Sequence, residues 1–97
     1  MQLYLNRAHC YIKIHAPKKA CLDIHKVLYI NPKNAKAFYR MSKAKRMFGS
    51  LSEAKGYLLK AQRLRPDDAD IGAELESLDM QMNRVRILSN IIPLYIF

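Results

Sequence analysis

Apolar positions along this chain recur at spacings of three and four, the period of helices that bury one face. Leu3, Tyr4, Ala8, Tyr11 and Ile12 form a first stripe, His15-Ala16-Pro17 breaks it, and Ala20, Ile24, Val27, Leu28 and Ile30 form a second. Pro17 suits the first turn of that second helix, where its missing N–H is not needed. Asn31-Pro32 ends it. The design then starts again with Ala37, Phe38, Met41, Ala44 and Phe48, closed by Gly49, and Ser50-x-x-Glu53 reads as a capping box for a helix through Ala54, Leu58, Ala61 and Leu64. After Arg65-Pro66, Asp67 or Asp68 caps a last helix, whose early acids suit its positive end and whose Ile71, Leu75, Leu78 and Met82 lie on one side only. The pattern predicts helices over about 2–14, 18–30, 35–48, 52–64 and 69–88 and no strand.

Sliding the sequence on itself by 34 residues superposes Ala20 on Ala54, Lys26 on Lys60 and Pro32 on Pro66. The same shift matches Tyr4 with Phe38, Ala8 with Ser42, Ile14 with Phe48, Ile24 with Leu58, Val27 with Ala61 and Ile30 with Leu64 in residue class. Small residues recur where helices would touch, and proline recurs where a helix would stop. The expected fold is therefore all-α: antiparallel helix-turn-helix repeats at 1–34 and 35–68, a capping helix at 69–88 and an apolar tail at 89–97, stacked as a fragment of a right-handed solenoid. Such repeats bury their faces only against neighbours and usually number three or more, so a further upstream repeat is expected outside these residues.

Ninety-seven residues leave room for one small domain and none for a catalytic domain plus a regulator. Charge sharpens that picture. Residues 1 to 66 carry fifteen Lys and Arg against Asp23 and Glu53, a net of +13, while residues 67 to 97 carry Arg84 and Arg86 against six acids, a net of −4. A field of that sign favours an anionic partner: nucleic acid, lipid headgroups or an acidic peptide. Two cysteines without a CxxC fit an intracellular, cytoplasmic chain with reduced, buried thiols. The apolar run Ile87 to Phe97 is about half the roughly 20 residues that a membrane span needs. The five methionines are expected in the core.

Helical geometry puts Gln2, Asn6, His9 and Lys13 on one face of the first helix, and Lys36, Arg40, Lys43 and Met47 on the equivalent face of the third. The groove between them is polar and cationic. Lys36 and Arg40 stand at i, i+4, so a carboxylate can take charge-assisted hydrogen bonds from both. Cys21 and His25 share a helical face but lack a second ligand pair, so no metal site or cofactor is expected. The acids cluster away from the histidines and no glycine-rich phosphate loop occurs, so no enzyme is expected either.

The 34-residue period, with Tyr4, Ala8, Tyr11, Ala20 and Pro32 followed by Phe38, Ser42, Ala54, Ala61 and Pro66, resembles the tetratricopeptide repeat. Val27, where that family usually has a small residue, and Lys45, where it usually has a larger apolar one, depart from it. Leu5-Asn6-x-Ala8 and Asn34-x-Lys36-x-x-Tyr39-Arg40 are further similar to the dicarboxylate clamp of chaperone-binding members, and the wider wording looks like FKBP-type immunophilins. The resemblance implies that Asn6, Lys36 and Arg40 grip the Glu-Glu-Val-Asp tail of Hsp90 or Hsp70. The family's other two clamp residues, a Lys and an Asn, come from a preceding repeat and have no counterpart here. Asn34-Ala35-Lys36-Ala37, Ala61-Gln62 and Asp70-Ile71 with Glu74-Leu75 look most like the germline, shutdown-like subgroup, which implies a role in small-RNA-guided (piRNA) transposon silencing.

Two rivals stand beside the peptide-binding expectation. RNA or DNA could use the basic face, which predicts a steep salt dependence, although Tyr4, Tyr11 and Phe38 are needed in the core and are not free to stack on bases. Alternatively, the open end of the stack and the apolar tail Ile91 to Phe97 pair with another copy as a self-associating scaffold.

Overall fold

A computed structural model describes residues 2–96 of the chain, with side chains described as far as Ile91. Five helices follow one another: α1 (Gln2–Lys13), α2 (Pro17–Ile30), α3 (Ala35–Met47), α4 (Leu51–Leu64) and α5 (Ala69–Ile96). The turns between them explain where each begins and ends. Pro17 occupies the first position of α2. Asn34 caps α3 by accepting a hydrogen bond from the Ala37 N–H at 3.1 Å, and Asp68, one 34-residue period later, accepts from Ile71 N at 3.2 Å and caps α5.

Helices α1 and α3 end in the same way at equivalent positions. The Ser50 N–H reaches the Lys45 carbonyl and the Gly49 N–H reaches that of Arg46, both at 3.0 Å, which requires the left-handed φ of 79° at Gly49. In the first repeat the Ala16 N–H reaches Tyr11 at 2.7 Å and the His15 N–H reaches Ile12 at 3.1 Å, with His15 itself at φ 59°. The expected capping box at Ser50 does not form. Its side chain makes no cap hydrogen bond at ψ 70°, and the Glu53 carboxylate instead meets the Lys45 ammonium at 3.2 Å.

Two apolar layers result. Leu5 and Ala8 of α1 pack with Ala20, Cys21, Ile24 and Val27 of α2 and with Ala37, Met41 and Ala44 of α3. Ala54, Leu58 and Ala61 of α4 pack with Ile71, Leu75 and Leu78 of α5, with Phe38, Tyr39, Leu51 and Met82 at the margin. The small residues of the repeat, Ala8, Ser42, Ala20 and Ala54, are wholly buried, and this lets the helix backbones approach. The seam of the first repeat also holds a bidentate ion pair: Arg7 Nε and Nη2 donate to the two Asp23 carboxylate oxygens at 2.7 Å each.

Several expectations need correction. Leu3 is 84% exposed because it stands two residues, about 200°, from Leu5 and points away from the core; the same offset from Ala8 leaves Cys10 exposed rather than buried. Ile14, Ile30 and Phe48 lie at helix ends and are also exposed. Met41 is buried, but Met80 is exposed. Helix α5 continues past residue 88 because no glycine or proline follows Gly72 until Pro93. The side chains of the apolar tail from 92 to 97 lie outside the described residues.

Candidate functional site

The first turns of α1 and α3 and the start of α5 enclose a cleft of about 530 Å³. Gln2, Leu5 and His9 come from α1, Lys36, Tyr39, Arg40 and Lys43 from α3, and Arg65, Asp68, Asp70 and Ile71 from the turn into α5. The Asn34 cap fixes the first turn of α3, so Lys36 and Arg40, one turn apart, both border the same space.

Electrostatics separate Lys36 and Arg40 from Lys43 and Arg46 on the same helix. Lys43 sits 3.8 Å from Glu74 and over the Tyr39 ring at 5.0 Å, and Arg46 reaches the same Glu74 at 3.0 Å. Lys36 and Arg40 have no carboxylate partner among the described residues. Arg40 instead donates to the Leu5 carbonyl of α1, and burial pushes its guanidinium pKa down, only partly offset by the nearby Cys10 thiol. His9 is pushed below its ordinary range first by burial and then by the charges of Arg40, Lys13, Lys43 and Lys36. The four cations around His9 add a locally positive potential to the effect of burial, in a cleft that Asp68 and Asp70 also border.

Of the residues singled out from the sequence, Gln2, His9, Lys36, Arg40 and Lys43 line the cleft. Asn6 does not line it: its side-chain oxygen accepts from Gln2 Nε2 at 3.1 Å on the exposed rim. Lys13 and Met47 fall in the last turns of their helices, beyond the cleft's end, and Met47 borders a separate hollow with Ile12, Lys43, Arg46 and Glu74. Sequence reasoning missed Tyr39, Arg65, Asp68 and Asp70 as lining residues. The match of Asn34 with Asp68 across one period was a signal for the acids; none marked Arg65. Among the described residues no group of three or more His, Cys, Asp or Glu could hold a metal ion, and no helix is long and apolar enough to cross a membrane.

No protein-family model matches the chain. The Hsp70/Hsp90 co-chaperone CNS1 of Saccharomyces cerevisiae is 36% identical over 85 residues, covering 87% of this chain and 22% of CNS1. The inactive peptidyl-prolyl cis-trans isomerase shutdown of Bombyx mori is 40% identical over 81 residues, covering 78% of this chain and 18% of that protein. The chain thus spans about a fifth of the length of these curated relatives. Among solved structures, the C-terminal TPR-containing domain of a Plasmodium falciparum FK506-binding protein superposes with a TM-score of 0.79 at 38% identity, over 86% of this chain and 55% of that one. The first TPR of Spaghetti (RPAP3), bound to the HSP90 peptide SRMEEVD, superposes with a TM-score of 0.78 at 25% identity, over 84% of this chain and 64% of that one. With its 34-residue period, paired helices and small buried contact residues, the chain is a tetratricopeptide-repeat segment, similar in sequence and fold to those of FKBP-type co-chaperones.

Proposed function

We propose that the cleft receives the acidic, free C-terminal end of an Hsp90 or Hsp70 chain, and that the segment is the chaperone-docking module of a co-chaperone. The carrying observation is the pair Lys36 and Arg40, adjacent in the cleft and without a carboxylate of their own. Both donate to the terminal carboxylate region, while Asn6 and Gln2 offer neutral donors at the rim. The HSP90 peptide on the first TPR of Spaghetti and the likeness to the Hsp70/Hsp90 co-chaperone CNS1 support this choice of ligand. The module binds rather than catalyses and works in the cytoplasm. The likeness to the Bombyx mori shutdown protein supports germline small-RNA (piRNA) silencing as the process served by the longer protein.

Nucleic acid is the weaker reading. Faces that could stack on bases are already covered, with Lys26 over Tyr4 at 5.1 Å and Lys60 over Phe38 at 5.7 Å and Tyr57 at 5.4 Å. Calorimetric titration with a peptide ending in Glu-Glu-Val-Asp, with free and amidated termini, tests the proposal. Free-terminus binding should weaken about tenfold or more on amidation and in Arg40→Ala, as expected for the loss of one charge-assisted hydrogen bond. Because a bound anion would lift the depressed His9 pKa, the complex should take up a proton and bind more tightly as pH falls through and below the ordinary histidine value of 6.5. Equal binding of the amidated peptide, or by a folded Arg40→Ala chain, would sink the proposal.

A further inference from the structure

Helix α5 carries a second stripe on the side away from its core. Ile71, Leu75, Leu78 and Met82 face α4, whereas Ala69, Ala73, Glu76, Met80, Arg84, Ile87 and Ile91 fall within roughly 40° of Met80 on the opposite side at 100° per residue. All seven are exposed, Met80 at 64%. The other charged side chains nearby on this helix have partners: Glu74 has Lys43 and Arg46, Asp79 has Lys55 at 2.8 Å, and Arg86 has Asn83. Glu76 and Arg84 have none among the described residues.

The order of residues along this stripe is self-complementary. Turned end for end about Met80, it places Glu76 opposite Arg84, Ala73 opposite Ile87 and Ala69 opposite Ile91. Opposite charges then meet, and each isoleucine meets an alanine, twice over by symmetry, with Met80 against Met80 on the axis. Glu76 and Arg84 each lie about 6 Å along the axis from Met80, so the two ion pairs flank the symmetry axis. A parallel pairing would instead set Glu76 on Glu76 and Arg84 on Arg84. Between this stripe and Arg46 of α3 runs a shallow hollow of about 430 Å³, bordered by Ala73, Glu76, Met80 and Arg84, in which a second helix can seat its side chains.

We infer that two copies of this chain associate antiparallel through the outer face of α5, with Met80 of each on the two-fold axis. The contact is one helix wide, so it is a weak dimer with a dissociation constant on the order of micromolar.

Sedimentation equilibrium across a concentration series tests it, with circular dichroism to verify that each variant is folded. Glu76→Arg and Arg84→Glu should each weaken the dimer about tenfold or more, because each sets like charges together at both ends. The double variant E76R/R84E should restore it to within about threefold, since the charges again match. Met80→Glu places two carboxylates on the axis and should leave only monomer. In a Cys10→Ser background, Met80→Cys should oxidise to a symmetric cross-link. A wild type that stays monomeric, whether or not it sediments with anionic lipid vesicles, overturns the inference, as does a double variant no tighter than its single parents.

Discussion

The two repeats share a backbone frame but close their helix pairs with different chemistry. In the first, Arg7 lies over Tyr4 at 5.6 Å and clasps Asp23 on the facing helix. In the second, the equivalent positions one period on hold Phe38, Met41 and Tyr57: Met41 is wholly buried, and Tyr57 stacks on Phe38 with ring centroids 6.2 Å apart. The lysine of the period is common to both, with Lys26 over Tyr4 and Lys60 over Phe38 and Tyr57. The frame therefore depends on the small residues that set the helix spacing, while the seam itself can be ionic or apolar. An ionic seam must offset the desolvation of its charges and is sensitive to pH; an apolar seam is neither.

The sharpest way to break this contrast is Arg7→Met, which leaves the nearly buried Asp23 carboxylate with only Lys26, 3.9 Å away, as a cationic partner among the described residues. It should lower stability measurably in urea unfolding, because the half-exposed Arg7 supplies both hydrogen bonds to a carboxylate that is 3% exposed. Adding Asp23→Tyr writes the second seam into the first repeat, and the double variant should recover most of that loss; a double as unstable as the single would mean that the two frames are not interchangeable.

Acid should separate the seams next. The two hydrogen bonds from Arg7 hold the Asp23 carboxyl below its ordinary 3.8 against the upward push of burial. A folded pKa below the unfolded one gives stability that is fully present above 3.8 and drains away as pH falls through the folded value. Acid unfolding followed by circular dichroism should therefore lose its Asp23 component in Asp23→Asn, a variant less stable at neutral pH but flatter in that window.

Smaller gains should come from curing defects peculiar to one repeat. The wholly buried Ser42 hydroxyl has no hydrogen-bond partner among the described residues where the first repeat has Ala8, so Ser42→Ala should add about 1 kcal/mol. His15 holds the left-handed position that Gly49 fills in the second repeat, and His15→Gly should add about 0.5 kcal/mol, relief of strain outweighing the added freedom of the unfolded chain. Thermal melts read both changes.

What could be read from the sequence was local or periodic. Pro17, Gly49 and the alanines announce themselves because turn geometry and helix contact each demand a particular residue type at a fixed spacing. Lys36, Arg40 and His9 were legible as a cleft because one helical face collects them. The Arg7–Asp23 clasp was not, since it joins residues sixteen apart on different helices and leaves no periodic trace. Nor was the rim position of Asn6, which depends on Gln2 supplying its partner, or the idle Ser50, whose neighbour Glu53 is claimed by Lys45 across the turn.

The tether from Arg40 to the Leu5 carbonyl has a consequence for any ligand that enters. A free arginine side chain surrenders roughly 2 kcal/mol of rotational freedom when it is immobilised. Here that freedom is already spent in joining α3 to α1, so an arriving carboxylate meets an arm set in place and gives up less entropy on binding. The same tether spans the two stacked repeats, so the side chain that borders the cleft also fixes how α3 sits on α1.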